Sequence, residues 1–289
     1  MSLKKRINNS IKYVIGLTGQ KTAVRLRYFH VFKRLPNLKN PQTFNEKINS
    51  YKFYTNYNFE RFADKVLVKD YIRKKIGDQY LIKTLYAGEA LPPISERNWP
   101  MPYAIKMNHC CGWNIFVRNE DERNWPLIEK KLAIWKKKVF GYDTGEPHYA
   151  KIRPQVLVEE FLTEDGCASP ADFKLFVMNG KVQFIQIDVD REFNHRECFY
   201  DATWQLLPFT IGNPEPSSLT MPRPDNLEEM VGLAETIGAD FPFVRVDFYN
   251  FAGRIYFGEL TFFPSAGFTP FYPNHFDRYY GDTLTLPRI

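Results

Sequence analysis

Four side chains in the last fifth of the chain have the types and spacing of a metal and phosphate site. Residues 244–249 read VRVDFY and residues 254–261 read RIYFGELT, with Phe251, Ala252 and Gly253 between the alternating runs. That pattern predicts a hairpin. Alternation puts Arg245 and Asp247 on one face of the first strand, and Glu259 and Thr261 on one face of the second. Two carboxylates, a hydroxyl and a guanidinium would then converge. Hard oxygen ligands of this kind suit magnesium, which keeps several waters and takes other ligands from nucleotide phosphates. Arg245 would stabilise charge on a transferring phosphoryl group or an acyl phosphate. A sheet with its polar face in water alternates in the same way, so spacing alone leaves both readings open.

Two other segments carry weaker signals. Residues 103–114 read YAIKMNHCCGWN, which places Lys106 at the end of an apolar strand. A lysine there can meet a phosphate as a point charge. The loop that follows can offer backbone N–H groups to phosphate oxygens. It holds a single glycine, Gly112, and the chain has no Walker-type loop and no G-x-G-x-x-G. Residues 156–162, VLVEEFL, form an apolar strand that runs into acids. Its main chain could meet an adenine edge, with Glu164 or Asp165 accepting from ribose hydroxyls. By pattern alone it matches any strand end.

The elements that would position these residues are helices first, then strands. Residues 18–32 read as a basic amphipathic helix. Thr43 and Glu46 have capping-box spacing ahead of a helix over 45–53. Phe62, Val66, Leu67, Ile72 and Ile76 predict one helix over 59–76, stopped by Gly77. Strands follow at 80–86, 103–107 and 114–117, then a helix at 122–140 and a strand at 155–162. Asn179-Gly180 joins strands at 172–178 and 181–189. A helix at 226–237 precedes the last hairpin, with strands at 243–250 and 254–261. Helices followed by antiparallel hairpins favour α+β over a doubly wound parallel sheet.

The 289 residues suffice for one large or two modest domains. No run approaches the roughly 18 apolar residues of a membrane span. Cys110, Cys111, Cys167 and Cys198 show no disulfide framework, which fits reduced thiols and a cytoplasmic protein. Residues 1–45 hold ten basic residues and no acid, while the whole chain carries +6, so the remainder is net acidic. Such a block suits an anionic partner, membrane lipid or glycan, and equally a solvated helix face. Nucleic acid is not expected, because no reader motif is present.

Together the three segments resemble the ATP-grasp superfamily. Residues 244–270 are similar to the C-terminal signature of D-alanine–D-alanine ligases. TFNEK at 43–47, ADK at 63–65, KMNH at 106–109, DFK at 172–174, DVDR at 188–191 and FYD at 199–201 resemble, in order, the teichuronopeptide-biosynthesis (TupA-like) branch. The resemblance covers about residues 40–275. It implies two α+β lobes with antiparallel sheets that clasp ATP. A basic helical region would occupy 1–60, the first lobe 61–158 and the second lobe, with the metal hairpin, 159–289. It implies that Lys65 and Lys106 bind phosphates and that the loop with His109, Gly112 and Asn114 covers them. Glu159, Glu160 and Leu162 would line the adenine and hinge region, with Asp165 just beyond. Asp247 and Glu259 would hold Mg2+, with Thr261 where the family often has Asn. Arg245 would sit by the transferred phosphoryl group, and Lys174 and Arg191 are candidate phosphate or substrate contacts.

The activity implied is an ATP- and Mg2+-dependent carboxylate–amine ligase working through an acyl phosphate. The branch points to a uronic acid of a bacterial surface polysaccharide, joined to an amino acid or amine by a cytoplasmic enzyme. The basic N-terminus is a candidate contact with the inner face of an anionic membrane. A glycan kinase on the same fold and a non-catalytic glycan- or membrane-binding module are the alternatives.

Overall fold

The computed structural model describes residues 19–54, 56–110, 112–138, 141, 144–163, 170–189, 196–215 and 219–287. Helix α1 (Gln20–Phe32) buries Ala23, Val24 and Tyr28, the last two packed with Ala266 and Phe268. Its outer side leaves Arg25, Leu26 and Phe29 exposed. Helix α2 (Phe44–Tyr51) starts at the expected capping box. Thr43 Oγ1 accepts the Glu46 N–H at 3.3 Å, and Glu46 Oε2 accepts the Thr43 N–H at 3.3 Å.

The single helix expected over 59–76 is two: α3 (Phe59–Ala63) and α4 (Val68–Lys75). Asp64 breaks it with an extended backbone, φ −72° and ψ 115°. Its Oδ1 accepts the N–H groups of Val66 at 2.8 Å and Leu67 at 3.2 Å. A short acid can thus give the backbone an alternative to continuing the helix. Gly77, at φ 107°, ends the helical region as expected.

A three-residue 3-10 turn at Asp78–Tyr80 takes the start of the strand expected at 80–86. Strand β1 is therefore Thr84–Gly88. Strands β2 (Tyr103–Met107) and β3 (Asn114–Val117) lead to α5 (Trp125–Lys136) and β4 (Val156–Glu160). These four strands form an antiparallel sheet in the order β1-β4-β2-β3. Ile128 and Leu132 of α5 close its core against Tyr103, Ile105, Met107, Val156 and Val158.

The second sheet begins with β5 (Asp172–Met178) and β6 (Lys181–Val189), joined through Asn179 and Gly180 at positive φ. It continues with β7 (Arg196–Tyr200). After a short β8 (Thr210–Ile211) come α6 (Leu227–Gly238), β9 (Phe243–Phe251) and β10 (Arg254–Thr261). The strand order is β10-β9-β5-β6-β7, all antiparallel. Strand β11 (Phe271–Tyr272) pairs with β8, and α7 (His275–Thr283) follows. Helix α6 approaches β5 so closely that a Cβ on Gly238 would overlap Val177.

The larger core is strongly aromatic. Phe44, Ile48 and Tyr51 of α2, Phe59 of α3, and Val68 and Ile72 of α4 share it with Phe176, Phe184, Phe243 and Phe248 of the second sheet. The helices that precede the first sheet therefore pack on the second. Among the described residues no helix is long and apolar enough to cross a membrane.

Candidate active site

The floor of the site is the β9–β10 hairpin. Asp247 pairs directly with Glu259 and Arg245 with Thr261. The register shifts between Phe257 and Glu259, so Gly258 is the extra residue of a bulge. A side chain there would crowd the Asp247 carbonyl and the Tyr249 ring. Arg245 grips Asp247 with two bonds, from Nε to Oδ1 at 2.7 Å and from Nη2 to Oδ2 at 2.6 Å. The same Nη2 donates to Thr261 Oγ1 at 3.0 Å and lies 3.7 Å from Glu259 Oε1. Thr261 thus orients the guanidinium, whereas Asp247 and Glu259 line a cleft of about 250 Å³.

Lysines form the opposing side. Lys65, in the break between α3 and α4, reaches Glu259 Oε2 at 2.9 Å. Lys106, on β2, reaches Glu159 Oε2 at 2.8 Å. Lys69 takes the other Glu159 oxygen and also donates to Ile82 O at 2.9 Å and Thr84 Oγ1 at 2.6 Å. The three lysines line the cleft together with Gly112, Asn114, Glu159, Asp172 and Tyr249. Sequence reasoning missed Lys69, although its place four residues after Lys65, one helical turn on, was a usable signal.

Other expected residues lie elsewhere. The resemblance implies an adenine and hinge position for Glu159, but strand alternation points it with Leu157 into the lysine end. Glu160 and Leu162 line an adjoining recess with Ile82, Ala104, Phe161 and Tyr249. His109 does not reach the cleft. It is buried, with its ring edge-on to Trp113 at 5.5 Å, because the loop turns it into the smaller core. Lys174 does not line the cleft either. It is buried beside Asp247, its partner across the β5–β9 pair, in ion pairs with Asp172 and, at 3.0 Å, Asp188. Asp165 and Arg191 lie outside the described residues.

The electrostatics divide the carboxylates into two kinds. Burial works against the Glu259 anion, but Lys65 and Arg245 overcome it and hold the group down at about 2. Burial likewise opposes the Glu159 anion, and Lys106 with Lys69 holds it below the usual range. At Asp247 burial wins and pushes the carboxyl up to about 7, with Arg245 and Lys174 offsetting part of the effect. A divalent cation beside Asp247 would restore the charged form. Asp247 and Glu259 supply the two hard, adjacent oxygen donors that Mg2+ takes from a protein, so the residues fit that ion.

No curated protein matches the chain. Among solved structures, an L-amino acid ligase from Bacillus licheniformis is 12% identical, with a TM-score of 0.45, over 73% of this chain and 45% of that one. D-alanine–D-alanine ligase from Bacillus anthracis, complexed with ATP, is 13% identical, with a TM-score of 0.41, over 71% and 54%. The ATP-grasp ligase PsnB, complexed with a phosphomimetic variant of its minimal precursor, Mg and ADP, is 15% identical, with a TM-score of 0.38, over 76% and 53%. This chain spans about half the length of each of these structures. The model of one family, TupA-like ATP-grasp, matches residues 45–285, and with the antiparallel α+β lobes that match places the chain in the TupA-like ATP-grasp family.

Proposed function

We propose that this protein is an ATP-dependent carboxylate–amine ligase. The observation that carries the reading is the two-sided cleft, in which Lys65, Lys69 and Lys106 face Asp247 and Glu259. Lysines of this kind cradle phosphates as point charges, and two adjacent carboxylates suit Mg2+. Asp247 and Glu259 would hold Mg2+, which would supply positive charge against the negative charge of the phosphates.

The chain's own residues would act as follows. Lys65 and Lys106 hold the phosphates, and the recess lined by Ala104, Phe161, Leu162 and Tyr249 takes the base. Arg245, fixed by Asp247 and Thr261, stabilises charge at the transferred group. A substrate carboxylate oxygen attacks the γ-phosphorus, the bond to the ADP oxygen breaks, and an acyl phosphate forms. An amine then attacks the acyl carbon, phosphate leaves, and the amine gives up its proton to solvent. We assign the carboxylate to a uronic acid of a surface polysaccharide and the amine to an amino acid. That assignment rests on the family branch.

The test is ADP release from purified protein with ATP, Mg2+, a uronic-acid glycan and amino acids. Release that requires both glycan and amine supports the ligase. Release without an amine points to a glycan kinase. If Asp247→Asn leaves the rate unchanged, the metal assignment is wrong.

A further inference from the structure

The two lysines best placed for phosphate stand on different parts of the molecule. Lys106 belongs to the smaller sheet, whereas Lys65 sits between two helices that pack into the larger core. One buried polar side chain joins them. Asn108 has no exposed surface, and all its polar groups are bonded. Its Nδ2 donates to Asp64 Oδ2 at 2.9 Å and to Arg153 O at 3.1 Å. Its Oδ1 accepts the Gln155 N–H at 2.7 Å. Its backbone N–H donates to Gln155 O at 3.1 Å, and its carbonyl accepts the Lys65 N–H at 3.3 Å.

Asp64 completes the connection. One carboxylate oxygen takes the Val66 and Leu67 N–H groups, which shapes the turn that presents Lys65. The other takes Asn108, two residues beyond Lys106. Gln155 immediately precedes β4, which carries Glu159, the partner of Lys106. Three phosphate-side segments therefore meet at one amide.

We infer that Asn108 and Asp64 are positioning residues that fix Lys65 and Lys106 at the separation a nucleotide's phosphates require. This rests on the nucleotide-binding reading above. A buried charge-assisted bond in a fully satisfied network is the kind that sets geometry, because neither partner has an alternative. Neither residue would touch the nucleotide.

The experiment measures ADP and ATP affinity by calorimetry, with Mg2+, for four variants. They are Asp64→Asn, Asn108→Asp, the double exchange of the two, and Asp64→Ser. Asp64→Asn and Asp64→Ser keep an acceptor for the turn and lose only the link, so folding is least at risk there. Thr43→Ala, which removes the cap of α2 far from the cleft, is the control for lost stability without lost positioning. Each single change at the link should raise the Kd on the order of tenfold at temperatures where the variant is folded by circular dichroism. The double exchange, which restores one donor opposite one acceptor across the link but leaves the Arg153 carbonyl without its donor, should recover part of the loss seen in Asn108→Asp, and Thr43→Ala should bind like wild type. Folded variants at Asp64 with unchanged Kd would overturn the inference, as would a double exchange no better than the worse single. Failure of the wild-type protein to bind nucleotide would instead remove the function proposed above, and this inference with it.

Discussion

Lys65 Nζ lies 2.9 Å from Glu259 Oε2, so a lysine suited to phosphate and a carboxylate suited to metal neutralise each other across the cleft. Phosphate captured by Lys65 would free Glu259, and Mg2+ captured by Glu259 would free Lys65. Each ligand thus removes the competitor of the other, and by linkage the effect is reciprocal. ATP affinity measured by calorimetry should rise by about tenfold or more when Mg2+ is added. In Lys65→Met the affinity should fall by about tenfold. Equal ATP affinity with and without Mg2+ in the wild type would contradict the coupling.

Arg245 makes a fork to Asp247 that lysine cannot reproduce. Arg245→Lys keeps the charge but gives up the parallel bonds and the contact to Thr261. Because Asp247 is only 3% exposed, the lost bonds leave a buried carboxylate under-satisfied. The variant should lose about 1–3 kcal/mol of stability in urea melts. Its ADP release should drop by about 10²-fold, as for a lost transition-state donor. A change in stability with full activity would confine Arg245 to a structural role.

The parts of this site that sequence revealed are those set by local pattern. Strand alternation brings Arg245, Asp247, Glu259 and Thr261 together whatever the rest of the fold does. The Asn179-Gly180 turn and the Thr43 cap are equally local, and each appears where expected. The parts that stayed hidden depend on contacts between distant segments. The apolar residues from Phe62 to Ile76 keep helical spacing through Asp64, so periodicity could not show the break that presents Lys65. Asn108 looked like one residue of a loop, because its partners lie 44 and 47 positions away. The family resemblance makes Lys174 a candidate phosphate or substrate contact. Only the pairing of β5 with β6 shows that Asp172 and Asp188 already hold it.

Gly281 sits where α7 approaches the start of α2 closely. A Cβ there would strike the Gln42 carbonyl oxygen and come within 2.6 Å of Thr43 Cα, both backbone atoms that cannot rotate away. Gly281→Ala must therefore shift one helix against the other. The expected loss is about 1–3 kcal/mol, the range for overpacking. Thermal melts check it, and an unchanged melting temperature would mean the contact relaxes at no cost. Nucleotide affinity should be unaffected at temperatures where the variant is folded, because neither helix lines the cleft.

His148 gives stability a dependence on pH away from the active site. It is 6% exposed, with its ring centre 4.2 Å from that of Tyr149 and 5.2 Å from that of Phe263. Burial, reinforced by Lys52 and Lys151, pushes its pKa down from the usual 6.5 to about 3. Between those values the unfolded chain binds a proton that the folded chain refuses. The contribution is therefore complete above pH 6.5 and is lost as pH falls toward 3. The slope can reach about 1.4 kcal/mol per pH unit. His148→Phe keeps the aromatic packing and removes the proton, so its stability should fall less between pH 6.5 and 5. The window matters, because Glu259, held at about 2 against its usual 4.5, adds an acid loss of its own at lower pH. Urea midpoints for the two proteins across pH 7.5 to 5 decide the matter. Parallel lines would show that His148 takes up its proton while the protein is still folded.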